Sequence, residues 1–250
     1  MNDRDDLIKK RFLELARRAD GYYLFSDFLG LAEQALFSEV RRQTDEKAVC
    51  AFGGVEGAER VMLRFGNPEV IGYDAPFPIV CLKAEPKNRK FADALTHRDF
   101  LGGLMSLGIE REVLGDIVIR DNVGYLFVKE EIAPFIAQSL TKVRHTDLKV
   151  SVADTLPEGE LYRTEPCHIQ LTSERLDAVI AKVFRLSREE AQGLFAKKLV
   201  FVGGAQCENT SHTPKPGDVI SVRGYGRMIY REVLSKSKKG KLNLTVDLYV

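Results

Sequence analysis

Between Ser173 and Arg227 the apolar residues change from a helical repeat to a strand repeat, with serine and glycine at the breaks. That order confines the stretch to a small module of two helices and a sheet. The first helix opens Ser173-Glu174-Arg175-Leu176-Asp177 with Ser173 as its expected cap, and Leu176, Val179, Ile180 and Val183 share one face. Arg175 and Lys182 stay on the polar side. Ser187 caps the second helix, Glu190 completes a capping box three residues later, and Ala191, Leu194 and Phe195 form a short apolar stripe. Lys197-Lys198 follows, then glycine-punctuated strands, then Arg223-Gly224-Tyr225-Gly226-Arg227.

The arginines are out of place for helix stability. A cation in the first turn opposes the helix dipole and costs roughly 0.3 to 1 kcal/mol when exposed. Helix N-termini attract phosphate through free amides and partial positive charge, so Arg175 and Arg188 each read as half of a two-point anion cradle. The competing reading pairs each arginine with a carboxylate elsewhere in the fold. Charge distribution favours an anionic partner. Residues 171–250 hold 14 Lys and Arg against 8 Asp and Glu, whereas the rest of the chain holds 23 against 28.

A membrane partner is not expected, because the start MNDRDDLIKK lacks an apolar core and no run approaches the roughly 18 apolar residues of a span. The expected location is the cytoplasm. Cys50, Cys81, Cys167 and Cys207 lack paired spacing and form no pattern with His97, His145, His168 or His212. Neither a metal nor a thiol nucleophile is expected, and no cofactor loop of the glycine-rich type is present.

Length and a hydrophobic content of 44% allow several cores, and the expected class is α+β with three small domains. Residues 1–75 read as helices over Asp3 to Ala19 and Phe28 to Arg42, followed by a hairpin of Ala48 to Phe52 and Arg60 to Phe65. Residues 76–160 read as strand, helix, strand, strand, helix, strand, a ferredoxin-like, RRM-like β-α-β-β-α-β unit. Residues 170–250 form the basic domain. In the middle unit Leu126 and Val128 share one strand face, and Tyr125, Phe127 and Lys129 the other. Tyr125 and Phe127 could stack bases on an open sheet, or pack under the neighbouring domain. The strand lacks a full RNP signature, which favours packing.

The run Arg175-Leu176-Asp177, Ser187-Arg188, Ala191, Lys198, Val200, Val202-Gly203-Gly204 and Gly217 to Gly224 resembles the S-four RNA-binding domain. Gly204 departs from the usual asparagine-glycine of that hairpin, yet Gly-Gly still permits positive φ. Thr96-His97-Arg98-Asp99-Phe100-Leu101-Gly102, Leu107 to Arg111 and Leu114 to Ile117, together with this domain, resemble the bacterial YlmH family over nearly the whole chain. That resemblance implies a non-enzymatic RNA binder on the ribosome, at the large subunit's rRNA and tRNA, in quality control of stalled synthesis, and the chain is expected to act as a monomer. The family's genomic setting adds a link to cell division.

Two alternatives remain. Pseudouridine synthases use an Arg-Leu-Asp triplet whose aspartate attacks the nucleotide, but only 73 residues follow Asp177, too few for their catalytic domain. A protein-interaction adaptor linked to cell division is the other. No catalytic residue is assigned. The expected RNA contacts are Arg175, Lys182, Ser187, Arg188, Lys197, Lys198, Arg223, Tyr225, Arg227, Lys236, Lys238, Lys239 and Lys241. Arg98, Tyr125 and Phe127 are secondary candidates, with an Asp99–Arg111 bridge as the structural reading of the block around Arg98. Neutralising about six charges on single strands gives a log–log slope of affinity against salt near −4, measurable by RNA titration across a salt series. A slope near zero would favour the adaptor.

Overall fold

Asp3, Asp5 and Asp6 in the first turn and Arg17 and Arg18 in the last complement the dipole of α1 (Asp3–Arg18). Its Phe12 meets Phe37 of α2 (Leu31–Val40) edge-on at 5.4 Å. The computed structural model describes residues 3–44, 48–156, 162, 164–237 and 240–249, and the chain divides into two units, Met1–Leu161 and Tyr162–Val250. Phe28 lies in a strand and not in α2. The segment Leu24–Leu29 is β1, Gly30 is extended at φ −81° and ψ 176°, and Glu33 accepts from the Gly30 amide at 2.9 Å to start the helix. With β2 (Val49–Phe52) and β3 (Val61–Phe65) this makes an antiparallel sheet of order β1-β3-β2, one strand more than the expected hairpin. A single turn, α3 (Pro68–Ile71), is capped by the Asn67 side chain.

The middle elements are β4 (Ile79–Pro86), α4 (His97–Ser106), β5 (Leu114–Arg120), β6 (Val123–Lys129), α5 (Ala133–Ser139), the short β7 (Lys142–Val143) and β8 (Thr146–Val152). Their sheet runs β5-β6-β4-β8-β7, all antiparallel, with the first strand of the unit central as the β-α-β-β-α-β pattern requires. Leu82, Leu126 and Val128 face the helices and share a core with Phe100, Leu104 and Ile136. Val123, Tyr125 and Phe127 fill the opposite face with Val55, Ile79, Cys81 and Val118. Burial pushes the Cys81 thiol up to about 12, so it stays protonated at neutral pH.

Hydrogen bonds fix the first sheet to this second face. The Arg60 guanidinium donates to the carbonyls of Phe28, Arg111 and Leu114 at 2.8–3.0 Å. The buried Asp116 carboxylate accepts from the amides of Glu59 and Arg60 at 2.7 and 3.0 Å. Lys129 pairs with Asp27 at 2.6 Å. Two glycines allow the close approach: a Cβ on Gly54 would lie 2.5 Å from the Phe127 ring, and one on Gly115 would lie 2.7 Å from the Phe28 ring.

The second unit contains β9 (Thr164–Leu171), α6 (Leu176–Val183), α7 (Arg188–Ala196), β10 (Val200–Val202), β11 (Ala205–Gln206), β12 (Val219–Val222), β13 (Gly226–Lys236) and β14 (Leu242–Tyr249). The sheet order is β11-β10-β12-β13-β14-β9. Gly203 and Gly204, at φ 56° and 81°, form the two-residue turn that joins β10 to β11. Leu176, Val179, Ile180, Ala191, Leu194 and Phe195 pack against Val200, Ile220, Val222, Met228, Tyr230, Leu244 and Val246, so both helices cover one sheet face. Ser173 does not cap α6, whose N-cap is Arg175. Ser187 and Glu190 do form the capping box of α7.

Gly115→Ala should overpack the contact between Phe28 and the middle sheet and destabilise the first unit by about 1 to 3 kcal/mol. Urea unfolding followed by tyrosine fluorescence reads this directly, and an unchanged midpoint would mean that the contact relaxes without cost.

Candidate nucleic-acid interface

Asp177 is fully buried in the first turn of α6, and five hydrogen bonds converge on its carboxylate. Arg175 donates through Nε and Nη2 at 3.2 and 3.0 Å, Arg188 through the same atoms at 3.1 Å each, and Gln192 through Nε2 at 3.1 Å. Burial alone would raise this carboxyl, but the bonds from Arg175 and Gln192 and the charge and bonds of Arg188 outweigh it and hold it below the usual range. The arginines therefore take the carboxylate-paired arrangement. Their outer edges stay in water, with side chains 39% and 48% exposed, and two cations on one anion leave a surplus positive charge.

The helix starts are also occupied from within. At α6 the amides of Leu176 and Asp177 donate to the carbonyls of His212 and Thr210, at 2.8 and 3.2 Å. At α7 the Ser187 hydroxyl accepts from the Glu190 amide at 3.1 Å, so Ser187 is spent on capping. At α6 the expected cradle of free amides beside Arg175 is thus replaced by tertiary carbonyls, and at α7 the cap Ser187 takes the Glu190 amide while Arg188 turns to Asp177.

The remaining cations fall into separate groups. Lys197 and Lys198 end α7, roughly 13 Å along its axis from Arg188. The Arg223 amide donates to the Leu199 carbonyl at 2.9 Å, so its main chain runs beside that lysine pair, but its guanidinium lies 5.1 Å from the ring of Phe201, which alternates with Val200 and Val202 and so faces away from the helices. Lys198 also reaches Glu208 at 3.6 Å, both side chains being well exposed, so the pair adds little stability. Gly224, at φ 84°, allows the tight turn that presents Tyr225, and the Tyr225 ring lies 6.0 Å from Phe184 at the end of α6. Lys182 is exposed on α6.

Arg227 projects from the sheet face away from the helices, its guanidinium 4.2 Å from the Tyr249 ring and 5.5 Å from that of Tyr162. Lys236 and Lys241 flank the far end of the β13–β14 hairpin, roughly 30 Å along the strand from Tyr225. Lys238 and Lys239 lie outside the described residues. Among the described residues the expected cations fall into separate groups and do not form one continuous surface.

In the middle sheet Tyr125 is 7% and Phe127 1% exposed, covered by Val55, Gly54 and their neighbours, so neither can stack an RNA base. Arg98 is exposed in the first turn of α4. Asp99 closes a capping box with Thr96 and reaches Arg144 at 3.7 Å. Arg111 donates instead to the carbonyls of Leu114 and Gly115, which rules out the Asp99–Arg111 bridge. Sequence reasoning missed Phe184 and Gln192. The only local signal for Gln192 was its helical spacing of four from Arg188.

Among the described residues no helix is long and apolar enough to cross a membrane, and no group of three or more His, Cys, Asp or Glu could hold a metal. Residues 77–156 match the family model described as "Putative RNA-binding domain in YlmH". The ribosome-associated protein quality control protein P2 of Bacillus subtilis (strain 168) is 30% identical over 229 residues, which cover 89% of this chain and 86% of that protein. The solved structure of the cell division protein ylmH from Streptococcus pneumoniae superposes with a TM-score of 0.48 at 18% identity, over 61% of this chain and 93% of that one. With a relative of this identity matched across nearly its whole length, the chain belongs to the YlmH family.

Proposed function

We propose that this protein is a non-enzymatic, cytoplasmic RNA-binding factor that works on the ribosome as a monomer, in quality control of stalled translation. The name of the B. subtilis relative and the RNA-binding domain match support that reading. Three functional pieces are inferred: residues 1–75, 76–160 and the S-four-type 170–250. The last docks structured RNA, at the rRNA and tRNA of the large subunit. One observation carries the docking: Lys197 and Lys198 are exposed together at the end of α7, where the chain turns into the sheet. Tyr225 stands exposed on the β12–β13 turn, 47% accessible. The outer edges of Arg175 and Arg188 add phosphate donors on the helix layer. These groups read shape and backbone, since no set of side chains spells out bases.

Lys197→Ala with Lys198→Ala should weaken binding to purified large ribosomal subunits and lower the magnitude of the salt slope by about 1.5, as two phosphate contacts are lost. Both side chains are exposed, so stability should change by under about 0.5 kcal/mol. Wild-type affinity and slope in a cosedimentation series would remove this face from the interface.

Asp177→Asn tests the catalytic alternative. The substitution removes a buried charge from beside two half-exposed arginines that can turn to water, and should cost roughly 2 to 3 kcal/mol. The native carboxyl is held low, so its contribution is complete above the unfolded value near 3.9 and is lost as pH falls through the lower folded value. The variant's unfolding midpoint should therefore vary less with pH in the acid range. An intact midpoint combined with loss of a base-modifying activity would instead make Asp177 a nucleophile.

A further inference from the structure

The second face of the middle sheet is only half covered. Beyond Cys81 and Tyr125 that face continues through Lys83 and Glu85 of β4, paired with Ser151 and Lys149 of β8. Lys83 and Glu85 form an ion pair there, and the charge of Arg89 reaches both. Arg89 belongs to the loop Lys87-Asn88-Arg89-Lys90-Phe91, which carries three cations and no acid. Phe91 is 77% exposed, and the Lys90 ammonium lies 5.7 Å from its ring.

The loop is held in place from three sides. The Asn88 side chain accepts from the Lys90 amide at 3.1 Å, and the Lys87 amide donates to the Asp147 carbonyl at 2.9 Å. Asp93 takes the amide of His145 at 3.1 Å and gives its own amide to Thr146 Oγ1 at 2.8 Å. Asn122 bonds Leu95 and Asp93, each at 2.9 Å. An aromatic ring fixed in water beside cations forfeits burial without any gain to the fold, and single-strand binders use that combination as a stacking platform. An acidic protein segment would satisfy the cations but offers Phe91 no flat partner.

We propose that this end of the middle domain is a second RNA site, which takes an unpaired segment. Phe91 stacks one base, Lys87, Arg89 and Lys90 hold the flanking phosphates, and Lys83 and Lys149 extend the track across the uncovered part of the sheet. The proposal rests on the RNA-binding reading above but not on the C-terminal face.

The test uses the full-length protein and a labelled oligouridylate of about ten nucleotides, within the span of known single-strand sites, read by fluorescence anisotropy. Phe91→Ala should weaken binding about tenfold and Phe91→Tyr should retain it. Arg89→Glu with Lys90→Glu should weaken binding further and lower the magnitude of the salt slope by about 1.4. All of these side chains are exposed, so the melting temperature should stay put. Wild-type affinity in Phe91→Ala and in the double variant would overturn the proposal, as would competition by polyglutamate that Phe91→Ala leaves unchanged. Lys197→Glu with Lys198→Glu separates the two readings. Weakened binding to ribosomal subunits in that variant alone leaves the C-terminal interface standing and this one overturned, and weakened binding in the Phe91 and Arg89 variants alone does the reverse.

Discussion

A single carboxylate organises the C-terminal unit. Asp177 sits where water cannot reach it, and an unpaired charge there would cost several kcal/mol. Two guanidinium groups and an amide answer every demand it makes, and in doing so they tie the start of α6 to the first turns of α7. Stoichiometry matters as much as geometry. With two cations for one anion, the knot that holds the helices together still faces solvent as a positive surface. Pairing with Asp177 and exposure to solvent are therefore not exclusive at Arg175 and Arg188, because the inner edge of each fork meets the carboxylate and the outer edge meets water.

The pattern of helices and strands was legible where local chemistry decides it. Ser187 and Glu190 announce α7, Gly203-Gly204 announces its hairpin, and the alternation of Leu126 and Val128 with Tyr125 and Phe127 announces the two faces of β6. Where a competing local signal existed, the reading failed. Phe28 continues a helical repeat, but Gly30 breaks it and β3 offers Phe28 a strand partner. Ser173 resembles a cap, but the carbonyls of Thr210 and His212 arrive first.

The candidate site was less legible, because charge in a sequence has no address. The Arg223 main chain comes beside Lys197 and Lys198 only through the pairing of β10 with β12, its guanidinium turns instead to the Phe201 ring, and Lys236 and Lys241 are remote only because β13 is long. The partner of Arg188 lies eleven residues back along the chain. The loop from Lys87 to Phe91 is hard to read for the opposite reason: its composition is plain, but its exposure depends on how far the first sheet extends across the second.

The way Arg60 and Asp116 lace residues 59–60 to residues 111–116 has a bearing on how this chain can be dissected. A fragment cut at the limits of the matched RNA-binding segment would lose Val55, Gly54 and Phe28, baring Tyr125 and Phe127 to solvent and leaving Asp116 without its backbone donors. Such a fragment would be sticky and short of stability, so the N-terminal sheet is a permanent lining of the middle sheet's aromatic face and a cut between them exposes an aggregation-prone surface.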